Sequence, residues 1–173
     1  MHSLCWFGSS HLPCVRAACY SANGVVSGET TRFYYAGGNG PHSGGGKEHG
    51  RRNGIGLATA HTDGLAGLAA ASEAQAAVVW SRPVALGAEL WVLVPPAACD
   101  GLRVGVFPSA GVEAAIEGFA HGACVPAEAA AQSPEHPQWH AVSWPGQSLA
   151  ALGGAAASLR FEVGRGALFA FGF

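Results

Sequence analysis

Charge is scarce in this chain. Nine lysines and arginines and eleven aspartates and glutamates make up 12% of its 173 residues, with a formal net charge of −2. An ordinary soluble domain carries about 25% charged residues. No block of basic residues occurs, which argues against a nucleic-acid partner, because phosphate binding needs clustered lysine and arginine. Long apolar runs are missing too. None approaches the roughly 18 residues of a membrane-spanning helix, so no membrane partner is expected. The first residues lack the basic segment and long apolar stretch of a secretory signal, which leaves the compartment open.

Signatures of chemistry are equally sparse. The five cysteines stand at positions 5, 14, 19, 99 and 124, an odd number. Cys14 and Cys19 have a spacing that zinc sites do not use, and no matching pair follows closely. They read as incidental thiols, whereas Cys99 and Cys124 are able to pair across a β-sandwich. His136 and His140 are four residues apart, but Pro134 and Pro137 exclude the helix that would bring both to one face. His42 and His49 have no evident third ligand. No metal or cofactor is expected, and no G-x-S-x-G nucleophile motif is present.

What the chain does have is short apolar strands punctuated by glycine and proline. Residues 1 to about 22 follow neither a strand nor a helix period and read as a poorly ordered segment. Val25-Val26, a turn at Ser27-Gly28-Glu29, and the run Thr31 to Tyr35 follow. A glycine-rich loop from Gly37 to Gly54 then leads to a second strand, Ile55 to Thr59, and a Thr62-Asp63-Gly64 turn. An isolated hairpin is marginal in water, and its free edges invite further strands. Residues 23–60 therefore read as part of a sheet whose other strands are missing, residues 23–75 as a partial blade with its linker, and the chain as a fragment.

From residue 76 to 173 the pattern is that of a sandwich. Val78 to Trp80, Glu89 to Val94 and His140 to Trp144 are candidate strands. Leu102, Val104 and Val106 share one face of another. Val112 to Ile116, bracketed by Gly111 and Gly118, reads as a turn and a strand. Ala123 to Gln132 competes as a short helix on propensity. At the end, Leu159, Phe161 and Val163 point one way and Ser158, Arg160 and Glu162 the other. Gly164-Arg165-Gly166 is expected to turn the chain into a hairpin whose Phe169, Phe171 and Phe173 finish inside the core.

These residues resemble a known family. RFYYAGGNGPHSGGG and NGIGLATAHTDGLAGL resemble the last blade of five-bladed β-propeller glycoside hydrolases of the furanosidase type, related to families 32 and 43, with Leu65 where phenylalanine is usual. GLRVGVF, IEGFAHGAC, HAVSW, SLAAL and SLRFEVGRGALFAFGF resemble, in order, the sandwich that follows that propeller. The resemblance implies an all-β fold: an antiparallel, jelly-roll-like β-sandwich preceded by a hairpin from a remnant blade. It also implies that catalytic carboxylates belong to earlier blades, which are not in this sequence.

Glycoside hydrolysis needs two carboxyl groups flanking the bond, about 5–9.5 Å apart. Asp63 and Asp100 sit in turn contexts, Glu29 in a hairpin turn and Glu162 on an outward face, so no catalytic residue is assigned. The expected role is non-catalytic support of a propeller domain or chain. The alternatives are a stand-alone carbohydrate-binding module and a residual glycosidase completed by another chain. Candidate carbohydrate contacts are Asn39, His42, Arg51 and Arg52 in the glycine-rich loop, and Trp139 in the proline-rich SPEHPQWH segment. Trp80, Trp91 and Trp144 read as sandwich core or rim.

Overall fold

The computed structural model describes residues 19–21, 23–38, 53–72, 74–126 and 137–173. Their regular structure is almost entirely antiparallel β, the all-β, sandwich-like class expected. Contacts divide the chain into Met1–Ala60 and His61–Phe173.

In the first unit, β1 (Cys19–Ser21) and β2 (Val25–Ser27) both pair antiparallel with β3 (Thr30–Gly38). β4 (Asn53–His61) pairs with β3 as well. The strand pair read from the sequence is therefore present, with an added partner that begins inside the segment expected to be unordered. Ser27 faces Thr30 across the Gly28-Glu29 turn, and Gly28 has φ 61°. That is the positive φ a tight hairpin needs and glycine adopts without strain.

Alternation sets the two faces of this sheet. Thr31, Phe33 and Tyr35 are the more sheltered set on β3, while Arg32 and Tyr34 are exposed. A Cβ on Gly56 would run into the Tyr35 ring, so Ile55 and Leu57 lie on the opposite face, with Tyr34. Ile55 is 83% exposed.

The second unit opens with β5 (Leu68–Ala69), β6 (Ala77–Trp80), β7 (Val84–Ala85) and β8 (Leu90–Val94). After the one-turn helix α1 (Pro96–Cys99) come β9 (Leu102–Phe107), β10 (Gly122–Val125) and β11 (Gln138–Ser143). A 3₁₀ helix (Leu149–Leu152), β12 (Ala156–Val163), β13 (Ala167–Leu168) and β14 (Ala170–Gly172) complete it. Eight strands form one curled, half-barrel sheet in the order β14-β8-β11-β10-β9-β12-β6, with β7 also on β12. The two layers of the sandwich thus belong to a single hydrogen-bonded sheet. β9, β10 and β11 are a meander, and β8 lies beside β11, a Greek-key order with α1 in the crossover. β5 pairs with β13, which draws the stretch before residue 76 into this unit.

The interior is built from one face of each strand. Leu90, Val92 and Val94 of β8 are buried, as are the expected triplets Leu102, Val104, Val106 and Leu159, Phe161, Val163. Trp144 lies across this core and donates its indole N–H to the Val104 carbonyl at 3.2 Å.

Three local expectations differ, and the burial of one outward residue is added. The segment 112–116 forms no strand; Val106 bonds Phe119 O and Ile116 N, holding the loop so that Phe119 and Ile116 pack on the core. Residues 123–125 are strand, not helix, because β9 and β11 claim both edges of β10. Ser158 is on the face that alternation gives it but is fully buried there, opposite Phe107 on a covered part of the outer face. The C-terminal strand does not pair with β12, whose edges are already taken by β9 and by β6 and β7. It crosses to β8 instead, where Phe171 packs on the core and Phe173 stays 46% exposed.

Candidate functional site

Of the carbohydrate contacts suggested by the sequence, Asn39, His42, Arg51 and Arg52 lie outside the described residues. Trp139 is described, and it sits on strand β11 rather than in a loop. It is half-buried, edge-on to His61 with ring centroids 6.5 Å apart. The His61 ring is held in turn, its Nδ1 accepting the Asp63 backbone N–H at 3.2 Å.

Trp91 joins Trp139 on the outward face. Trp139 pairs with Leu93 and Ala141 with Trp91, which makes the two tryptophans diagonal neighbours. Such backbone positions are about 7–8 Å apart, within reach of aromatic side chains. Trp91 is 38% exposed. The sequence placed Trp91 among residues of the sandwich core or its rim. The signal that locates it is parity: with Leu90, Val92 and Val94 facing inward, Trp91 must face out.

Among the described residues, the other two tryptophans, Trp80 and Trp144, are committed to packing. Trp144 is core. Trp80 meets Phe107 edge-on at 4.8 Å and carries the Arg160 guanidinium over its ring at 5.9 Å. Arg160 is also ion-paired with Glu162, two residues along the same strand, so that carboxylate is neutralised. Asp100 stands at the C-terminal end of α1 and Asp63 in the turn after β4. These are the structural positions expected of them.

β6 and β14 are the two ends of the curled sheet, and a cleft of about 320 Å³ has lining residues from both. Val79, Trp80, Phe161, Phe169 and Phe171 line it, with the Phe161 and Phe171 rings 5.1 Å apart. Its one hydroxyl, Ser81 Oγ, accepts the Leu159 N–H at 2.8 Å and donates to the Arg82 carbonyl at 2.7 Å. This cleft offers apolar contact and no acid or base.

A different constellation lies beneath α1. Cys99 and Cys124 form a disulfide, the pairing the sequence had left open. Their sulfurs and the imidazole of His140 have ligand atoms within 4.8 Å of one another, all three residues being buried. A ring N–H of His140 donates to the Val94 carbonyl, while burial pushes its pKa below the ordinary value of 6.5. Sequence spacing could not reveal this triad, because it is assembled from a helix and two strands.

No protein-family model, curated protein or solved structure matches this chain.

Proposed function

We propose that this chain is the non-catalytic C-terminal portion of a glycoside hydrolase-like protein, comprising a last propeller blade and the β-sandwich that supports the propeller. The observation that carries the reading is the exposed face of the first unit. Its strands form a small antiparallel sheet around β3, the kind of sheet a propeller repeats radially. Ile55, Leu57 and Tyr34 stand exposed on one side of it. A nine-residue strand with isoleucine at 83% exposure is the surface that a stacked neighbouring blade covers. The ordered family-like motifs add the prior. The test is complementation: the purified chain mixed with a furanosidase-type propeller that lacks its last blade and sandwich. A stable complex, weakened by Ile55→Lys, is expected; no association would refute the reading.

One observation favours a second reading, a carbohydrate-binding module. Trp91 and Trp139 are an outward aromatic pair, and aromatic rings stack on the apolar faces of sugars as they do on other flat apolar groups. A glycan array on the chain and its Trp139→Ala and Trp91→Ala variants separates the two. Binding lost in either variant supports the module; a folded protein that binds no glycan removes it.

A further inference from the structure

The connection from β8 to β9 contains α1, whose last residue, Cys99, is completely buried. Beneath it, Cys124 on β10 and Val142 on β11 are paired residues facing inward. His140, two residues before Val142, shares the same face, opposite Val92. Three donors with affinity for soft metals therefore converge from three elements, with ligand atoms within 4.8 Å. A tetrahedral zinc site holds sulfur and nitrogen ligands about 3.5–3.8 Å apart, as bond lengths near 2.3 and 2.0 Å require. Side-chain shifts of about 1–2 Å reach that geometry.

We propose that Cys99, Cys124 and His140, once the disulfide is reduced, form a zinc-binding site. A dithiol reductant supplies two electrons and two protons, breaks the S–S bond and leaves as its own disulfide. Zn²⁺ then displaces the two thiol protons to solvent, and the neutral imidazole contributes its lone pair. The Val94 carbonyl already receives one ring N–H of His140. That is the second-shell bond that orients ligating histidines and sets their tautomer. Three-ligand zinc sites elsewhere take water in the fourth position. The same pocket thus has two covalently distinct closed states, a disulfide in oxidising surroundings and a metal clip in reducing ones.

The experiment uses the full chain with Cys5, Cys14 and Cys19 changed to serine, so that only the two buried thiols remain. The protein is reduced with a non-thiol phosphine under anaerobic conditions and titrated with Co²⁺, then with Zn²⁺. One Co²⁺ per chain is expected, with the visible bands of tetrahedral thiolate coordination, displaced by Zn²⁺. The oxidised protein, same fold and same residues, must give no such bands. His140→Gln should weaken binding at least about tenfold, a loss typical even of outer-shell changes. Near-ultraviolet circular dichroism monitors folding in every sample. The proposal fails if the reduced folded protein gives no thiolate bands. It fails equally if His140→Gln binds as tightly, or if reduction unfolds the sandwich with Zn²⁺ present.

Discussion

At the scale of single residues, burial without full compensation leads to two measurable effects. His140 is fully buried, and desolvation lowers its pKa in the folded state despite the Val94 carbonyl that works the other way. Its unfolded pKa is close to 6.5, so below that value the unfolded chain binds the proton that the folded chain refuses. The histidine's contribution is therefore intact above about pH 6.5 and declines as pH falls through 6.5 toward the folded value. Urea midpoints of the oxidised protein between pH 5 and 8 should drop on the acid side, and His140→Leu should flatten that slope. Ser158 is the other case. Its Oγ is buried and finds no hydrogen-bond partner among the described residues. Deleting an unsatisfied hydroxyl removes a desolvation cost, so Ser158→Ala should raise stability by about 1 kcal/mol, measured by urea unfolding. An unchanged or lower midpoint would mean that the hydroxyl is satisfied in solution. The inward residues of these strands were legible from alternation alone. Ser158 was not, because covering of the outer face depends on Phe107, fifty-one positions earlier by number and directly opposite in the sheet.

At the scale of elements, close approach and cross-linking matter most. A Cβ on Gly122 of β10 would strike the Trp144 ring, which is pinned by its bond to Val104. Overpacking of this kind costs about 1–3 kcal/mol. Gly122→Val should lower the thermal midpoint and change tryptophan fluorescence together, because the same ring reports both. The disulfide closes a loop of 25 residues between α1 and β10, and the chain-entropy relation assigns such a loop about 3.5 kcal/mol. Cys99→Ala with Cys124→Ala should lose most of that in urea unfolding at neutral pH. A loss below about 1 kcal/mol would show that the crossover is held by packing instead. Strand positions were readable from short β-branched and aromatic runs stopped by glycine and proline. Their partners were not. The C-terminal strand looked like a hairpin partner of β12 because a Gly-Arg-Gly turn joins them. The edges of β12 were already occupied, and no local pattern records that.

At the scale of the whole chain, the buried apolar residues among those described all fall in the second unit, from Leu86 to Leu168. The first unit contributes Thr31 to the buried set and leaves Ile55 and Leu57 exposed. A protein of residues 61–173 should therefore fold cooperatively by itself, with a thermal midpoint close to that of the sandwich in the full chain. Circular dichroism and calorimetry check this; a fragment without a transition would show that the sandwich needs the preceding sheet. The candidate aromatic site was half legible in the same sense. Trp139 was singled out for its proline-rich surroundings, but its neighbours Trp91 and His61 come from distant parts of the sequence.

Local stereochemistry and alternation are properties of neighbouring residues, so the β class, most strand positions, the Gly28 turn and the inward triplets of β9 and β12 were legible in the order of residues. Pairing is a competition among edges, settled only when every strand has taken its partners. Tertiary structure alone therefore decided that the sandwich is one curled sheet, that the last strand joins β8, and that Cys99, Cys124 and His140 meet beneath α1.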